Sequence, residues 1–415
     1  MIRHLARLIW NRKRQNFLLT VEIFFSFLTL FGVVLFAVYF ANNARNPIGY
    51  TIDRLWSIGV DRKEADKDLA VKARHRETYR QLLMALRGMP EVEVVAAAST
   101  GPYANSNWGS NVRLVGGRQV RFGVNKVTDD FRELLHIPLV AGRWFSREDD
   151  GSTWTPVVIN RRMATEIFGD VDPIGQVIKE ERDPNGPPPE PDEKAEVKRV
   201  IGVVEEFRQD GELSGSGNYL FYRFRLDGSE AKEALPDRVF VRLRPGTPAT
   251  FEEGLVKRAM AVANPWSFEV QPLDTMRTDK LRQYTIPLMV VGTIAAFLLM
   301  MVALGLTGVV WQNVTQRIRE FGLRRAKGAT IQNVRTQVLV ELLIMTSLAL
   351  VSGVALIAQL PLLPIPSDLA AITAPVFIGS IAVSVIAIYL LTLACGWYPS
   401  RLATKIQPAE ALHYE

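Results

Sequence analysis

Four stretches of apolar residues, each long enough to cross the hydrocarbon core of a bilayer, leave this chain few folds to adopt. Residues 17–40 are interrupted by one charge, Glu22; 286–311 carry none; 338–360 hold Glu341 near the start; 375–397 are again uncharged. A helix needs about 20 residues to span that core. With no water there to receive backbone hydrogen bonds, runs of this length and polarity are read as helices. The segments predicted to span are 17–42, 284–311, 337–360 and 374–397. The first follows a basic stretch, as a cleaved signal would. Its apolar core is much longer than the roughly 7–15 residues of a signal, so a retained anchor is expected.

The placement of charge orients the spans. The 415 residues carry a formal charge of +6, and the excess gathers beside the apolar runs. Residues 2–15 hold Arg3, Arg7, Arg12, Lys13 and Arg14 without an acid; 312–335 hold six basic residues against Glu320 alone; 43–283 are close to neutral. Lys and Arg concentrate on the cytoplasmic side of membrane proteins. The N terminus is therefore expected inside, 43–283 outside, and 312–336 inside. The short 361–373 loop, without Lys or Arg, is expected outside and the 398–415 tail inside. Ile2, Leu5, Leu8 and Ile9 fall at helical spacing opposite Arg3 and Arg7, which predicts an amphipathic helix over 1–16 lying in the inner interface. A nucleic-acid partner would need a basic stripe on the water-soluble part, and that part has none. The single cysteine, Cys395, lies in the last apolar run, which excludes an intrachain disulfide and any C-x-x-C site.

The stretch 43–283 is long enough for two lobes with cores of their own. Residues 72–87 read as a helix ended by Gly88 and Pro90, 161–168 as one ended by Gly169, and 251–263 as a third. Residues 91–98, 111–127 (broken by a turn at Gly116-Gly117), 157–160, 200–204 and 239–243 read as strands. Helices and strands alternate, so the inserted domain is expected to be α+β. Residues 183–193, with Pro184, Pro187, Pro188, Pro189 and Pro191 among charges, have a composition that packs no core. Chemistry is sparse. His75 and His136 are isolated, the acidic pairs Asp149-Asp150 and Glu205-Glu206 suit turns, and neither G-x-S-x-G nor H-E-x-x-H occurs, so no catalytic or metal residue is assigned.

Two stretches on the cytoplasmic side carry a family signature. Residues 317–330 read Arg-Ile-Arg-Glu-Phe-Gly-Leu-Arg-Arg-Ala-Lys-Gly-Ala-Thr and run on to Glu341. Residues 397–401 read Trp-Tyr-Pro-Ser-Arg and continue to Pro408-Ala-Glu-Ala-Leu412. Both resemble the loop after the second helix and the C-terminal ending of MacB-type, FtsX-like ABC transporter permeases. Within the large domain, 139–145, 157–160, Asp172-Pro-Ile-Gly175 and 200–204 are similar, in order, to that family's periplasmic core. The resemblance implies an α-helical membrane domain of four transmembrane helices with an inserted, two-lobed α+β periplasmic domain, in a bacterial inner membrane with both termini cytoplasmic. It implies a dimer of permeases, homodimeric or paired with a paralogue, and an ABC ATPase subunit that binds ATP and Mg. A periplasmic adaptor and an outer-membrane channel are further partners, and lipids surround the spans. The permease itself is expected to bind no cofactor and to be no enzyme. The family's archetype carries its ATPase ahead of the first helix; here about 16 residues precede the membrane and no G-x-x-x-x-G-K-[ST] loop exists, so a separate ATPase is expected. The implied activity is export, with ATP hydrolysis moving the cytoplasmic helix ends and the motion relayed to the periplasmic domain.

The loop residues have a physical logic of their own. Arg317, Arg319, Glu320, Gly322, Arg324, Arg325, Lys327 and Gly328 form a short basic segment that can project cations toward carboxylates of a soluble partner, and Glu320 can pair with Arg324 one turn on. They are the expected ATPase-coupling residues; the plainer reading is a set of topogenic charges. Glu22 and Glu341 lie about a turn inside the cytoplasmic boundary, where an intramembrane carboxylate is a functional candidate. Two other classes share parts of the pattern. A lipoprotein-extracting ABC complex has the same topology but departs from the basic loop motif, and a transmembrane regulator of cell-wall hydrolases has a smaller outer domain. Neighbouring genes for an adaptor, a lipoprotein chaperone or a secreted hydrolase would separate the three.

Overall fold

The computed structural model describes residues 13–62, 68–105, 109–114, 117–179, 197–226, 234–316, 330–362 and 372–405. Residues 1–12 of the amphipathic helix predicted over 1–16, the proline-rich 183–193, most of the 361–373 loop and the tail beyond 405 lie outside them. The chain divides into two compact units, one formed by Met1–Asn42 with Tyr284–Glu415 and the other by Asn43–Gln283.

The first unit is built on helices α1 (Lys13–Asn43), α6 (Leu273–Gln316), α7 (Ile331–Ile357) and α8 (Ala374–Lys405). Each is long and apolar enough to cross a membrane. α1 buries Leu19, Ile23, Phe27, Phe31 and Leu35, and α6 buries Val302, Leu306 and Val310. A spacing of four keeps these side chains on one face of each helix. They pack with Val338, Leu342, Met345 and Leu350 of α7 and Ile388 of α8. Phe25, Met289, Phe297, Leu304, Val351, Ile386 and Leu390 point outward, as an apolar solvent permits.

The second unit holds strands β1 (Leu55–Asp61), β2 (Val92–Ala98), β3 (Gly109–Arg113), β4 (Gln119–Val127), β5 (Leu139–Gly142), β6 (Thr155–Asn160), β7 (Lys198–Val204), β8 (Tyr219–Arg223), β9 (Arg238–Leu243) and β10 (Ser267–Pro272). Its short helices are α2 (Leu69–Arg87), α3 (Phe131–Leu135), α4 (Arg161–Phe168) and α5 (Phe251–Val262). One mixed sheet runs β10-β1-β9-β2-β4-β8-β6-β7-β5, with β3 beside β4. The two lobes share it. The first, β10-β1-β9-β2, is antiparallel throughout. The second mixes parallel β4–β8 and β6–β7 with antiparallel β6–β8 and β5–β7. Between the lobes, β2 and β4 pair only at Ala98 and Val127.

Alternation along the strands sorts side chains into separate cores. Val239 and Val241 of β9, with Val95 and Ala97 of β2, face α2 and α5 through Tyr79, Leu82, Leu86, Leu255 and Ala259. Val157 and Ile159 of β6 face Met163 of α4, with Val200, Val203 and Leu220. The intervening Phe240 and Val158 point to the opposite side. There Phe131, Leu134 and Leu135 of α3 join Phe207, Phe221 and Trp144 in a core drawn from both lobes. Leu273 and Met276, at the start of α6, are buried in that same core. The helices and strands predicted within 43–283 are present, and β1, β5, β8, β10 and α3 are additions the sequence pattern did not disclose.

Candidate functional site

The predicted coupling residues Arg317, Arg319, Glu320, Gly322, Arg324, Arg325, Lys327 and Gly328 fall in 317–329, outside the described residues. The elements that bracket them are defined. α6 ends at Gln316, and Thr330 caps α7, its Oγ1 accepting a hydrogen bond from the Asn333 amide at 3.3 Å. One turn later, the Arg335 guanidinium lies 3.7 Å from the centre of the Trp397 ring. A planar cation stacked on an indole is a favourable pairing. Here it links a residue from each of the two signature stretches, joining the start of α7 to α8.

Glu22 and Glu341 have different neighbours. Glu22, half-buried on α1, turns its carboxylate to Gly305 of α6, where an added Cβ would stand 3.1 Å from the oxygen. Glu341, half-buried on α7, accepts from the Gln337 amide one turn earlier at 3.4 Å.

In the second unit the isolated histidines pack. His75 is buried edge-on against Trp266, and His136, in the left-handed region, meets the Thr51 hydroxyl at 3.2 Å. The acidic pairs have partners that sequence could not assign. Asp149 is buried, bound by Arg143 at 2.5 and 2.9 Å and by the Ser146 amide at 3.0 Å. Asp150 pairs with Arg223 at 2.7 Å, and Glu205 with Arg161 at 2.6 Å. Among the described residues no group of three or more His, Cys, Asp and Glu could hold a metal.

A denser polar cluster sits where the domain meets its connecting segments, built on residues 205–218 between β7 and β8. Arg208 is buried, and its guanidinium donates to the carbonyls of Asn43 (2.9 Å), Asn46 (3.0 Å), Glu212 (2.6 Å) and Ser214. Asn43 returns a bond from its side-chain amide to the Leu213 carbonyl at 3.1 Å. Glu212 binds Arg277 at 2.5 Å and Asp210 binds Lys280 at 2.9 Å, both cations lying on the first turns of α6. The Tyr50 hydroxyl donates to the Arg208 carbonyl at 3.0 Å. Burial, then the neighbouring Tyr103, raises the Tyr50 pKa well above its usual value, and burial with Glu212 raises that of Tyr103, so both remain protonated donors. Sequence reasoning passed over this cluster. Its only local trace is an Arg-Gln-Asp-Gly-Glu run and the spacing of three between Arg277 and Lys280.

Two family models match the chain in sequence order. One described as "MacB-like periplasmic core domain" covers residues 18–257. The other, "FtsX-like permease C-terminal", covers 292–408. The pyoverdine export ATP-binding/permease protein PvdT of Pseudomonas savastanoi pv. phaseolicola is 25% identical over 345 residues, which cover 80% of this chain and 47% of PvdT. The macrolide export ATP-binding/permease protein MacB of Bdellovibrio bacteriovorus is 26% identical over 344 residues, covering 78% of this chain and 47% of that one. The chain thus spans about half the length of these curated relatives. The crystal structure of the periplasmic region of MacB from Actinobacillus actinomycetemcomitans superposes with a TM-score of 0.37 at 15% identity, covering 57% of this chain and 97% of that one.

Proposed function

Because the chain belongs to the MacB-like, FtsX-like family of ABC exporter permeases, we propose that it couples ATP hydrolysis on an ABC ATPase to movement of its periplasmic domain, driving export. The observation that carries this reading is the order of the matches: the periplasmic core model over 18–257, then the permease model over 292–408, around four membrane-length helices. Residues 1–415 contain no G-x-x-x-x-G-K-[ST] loop, so the ATP and Mg sites belong to a domain outside them. The basic segment 317–329 is the contact for that domain. The stacked Arg335–Trp397 pair supports this role, because a load applied between α6 and α7 is passed to α8 through it. The protein resides in the inner membrane as a dimer with both termini cytoplasmic, and exports toward a periplasmic adaptor and outer-membrane channel.

The test is to purify the tagged chain from its own cells, identify the ATPase that accompanies it, and measure hydrolysis in nanodiscs. Arg324→Glu with Arg325→Glu is expected to insert normally and to lose most of the bound ATPase. Each exposed pair contributes only about 0–1 kcal/mol, but reversal replaces several attractions by repulsion at once. Full ATPase recovery and full hydrolysis with the double variant would show that these arginines only set topology.

A further inference from the structure

Both connecting segments enter the periplasmic domain through the same lobe. After α1, the chain runs through 44–54 into β1, and β10 runs directly into α6. β1 and β10 are neighbours in the first lobe. The second lobe therefore receives no covalent input from either membrane helix. Its sheet meets the first lobe at the Ala98–Val127 pair, flanked by bonds between Thr100 and Asn125 and between Ala97 and Thr128, and through the aromatic core on one face.

Residues 205–218 leave the second lobe from β7 and return to it as β8, and on the way they bond to both connecting segments. On the α1 side, Arg208 uses main chain and side chain together. Its amide donates to the Ile48 carbonyl at 3.0 Å, its carbonyl accepts from Tyr50, and its guanidinium holds the Asn43 and Asn46 carbonyls. The other arm of the guanidinium holds Glu212 and Ser214, so one side chain folds the segment on itself and fastens it to 43–50. Close approach is built into the backbone. Gly49 has φ +89°, and a Cβ there would fall 1.9 Å from the Glu206 carbonyl oxygen; Gly211 has φ +83°, and a Cβ there would fall 2.3 Å from the Tyr103 ring. Neither position admits a side chain. On the α6 side, Arg277 and Lys280 are three residues apart on one helical face and bind Glu212 and Asp210.

We propose that residues 205–218 are a clamp that ties the second lobe to the bases of both membrane helices, with Arg208 as its positioning residue. This rests on the reading of the chain as a relay of helix movement and says how that movement reaches the lobe the helices do not enter. A displacement of 43–50 or of the start of α6 is delivered to β7 and β8 through Arg208 and the two ion pairs. A planar guanidinium can bridge two pairs of carbonyls at once; a lysine ammonium is a point charge and cannot.

The experiment is hydrogen–deuterium exchange on the full chain with its ATPase in nanodiscs, with and without ATP and vanadate. Without nucleotide, Arg208→Lys is expected to lose protection in 205–218 and in 43–50 together, because the clamp opens as one unit. Loss confined to 205–218, with 43–50 unchanged, overturns the clamp whatever ATP does. With nucleotide, Glu212→Arg is expected to keep ATPase binding, hydrolysis and the response of 55–61 and 267–272, and to lose that of 157–160 and 198–204. Adding Arg277→Glu restores the ion pair with its charges exchanged and is expected to restore the second-lobe response. An unchanged second-lobe response in Glu212→Arg, or failure of the exchanged pair to recover it, also overturns the clamp. If the unmodified complex answers to ATP nowhere, while 43–50 and 205–218 still open together, the relay reading fails and the clamp stands.

Discussion

Ser380, Ser384 and Thr392 in the membrane helices are as deeply buried as Arg208 and Arg242 in the periplasmic domain, yet they find their partners by opposite routes. Each hydroxyl turns back on its own helix, to the carbonyl four residues earlier, at 2.7, 2.8 and 2.9 Å. The two arginines reach across long stretches of sequence. Arg242 donates to the carbonyl of Leu134 at 2.9 Å, to that of Asp53 at 3.2 Å and to the Thr51 hydroxyl at 3.1 Å. In a bilayer an unpaired polar group has no water to fall back on, so it is satisfied within its own helix before helices pack. In the aqueous domain water serves the groups until the fold closes, and partners can come from anywhere. Polar contacts between membrane helices are thus additions to a structure already satisfied, whereas those of the domain are conditions of its closure.

The largest effect that sharpens this contrast is expected at Arg242. Arg242→Met fills similar space but strands the buried Leu134 carbonyl, at about 1–3 kcal/mol, and gives up the bonds to the partly solvated Asp53 carbonyl and Thr51 hydroxyl at a smaller cost. A loss of about 2 kcal/mol would lower the unfolding temperature of a domain this size by roughly 5 °C. Differential scanning calorimetry of the full chain in detergent is the measurement. A fall of under about 2 °C would mean the carbonyls are served by water, and the contrast would lose its strongest case.

The same difference explains what was legible in the sequence. The membrane helices announce themselves because burial in lipid demands an unbroken apolar run and nothing from distant residues. The exception is the start of α6. Its charged first turns over 273–283 carry no hydropathy signal, and Pro287, which ordinarily breaks a helix, lies inside it. In the domain, α4 was readable because its signal is local, a short run ended by Gly169; the Asn160 side chain that caps its start, accepting from the Met163 amide three residues on, was not singled out. β8, Tyr-Leu-Phe-Tyr-Arg, was not, because a central strand apolar on both faces has no alternation to detect. The cluster around Arg208 was illegible for a further reason. Glu212 and Arg277 are 65 residues apart, and Arg208 and Asn43 are 165 apart. Only the fold makes them neighbours. The basic segment 317–329, proposed above as the ATPase contact, was singled out through its family signature; local chemistry alone reads equally as topogenic charge.

A smaller effect is expected at Asp149, where the domain places a carboxylate in the interior. Burial opposes its charge, but the Arg143 pair and the Ser146 amide outweigh that and hold its pKa below the ordinary value of 3.8. A depressed folded pKa contributes stability that is present above the unfolded value and lost as pH falls through the folded one. Asp149→Asn is therefore expected to cost about 1 kcal/mol at neutral pH, since Arg143 stays partly solvated. The cost should fade as pH drops below about 4. Urea titrations of both proteins at pH 7 and pH 3 read the difference; a gap that is equal at the two pH values would remove the carboxylate from the account.

The smallest effect is expected at Tyr389 on α8, and it tests the membrane side of the contrast directly. Its hydroxyl lies 2.8 Å from the Ser347 oxygen of α7. Ser347 already donates its own proton to the Leu343 carbonyl at 2.6 Å, so the bond between the helices is one that Tyr389 donates and Ser347 accepts. Tyr389→Phe deletes that donor and keeps the ring. Ser347 retains its bond within α7 and no buried donor is stranded. Packing of Val338, Leu342 and Met345 against the bundle core is untouched. Bonds between membrane helices of this kind average about 0.6 kcal/mol, several times less than the expected cost at Arg242. Unfolding in sodium dodecyl sulfate, followed by tryptophan fluorescence, should show a shift of that size. A cost above about 2 kcal/mol would exceed the range for such bonds. It would mean that the pairing of α7 with α8 depends on this contact as the domain depends on its arginines, and the distinction between the two units would fail.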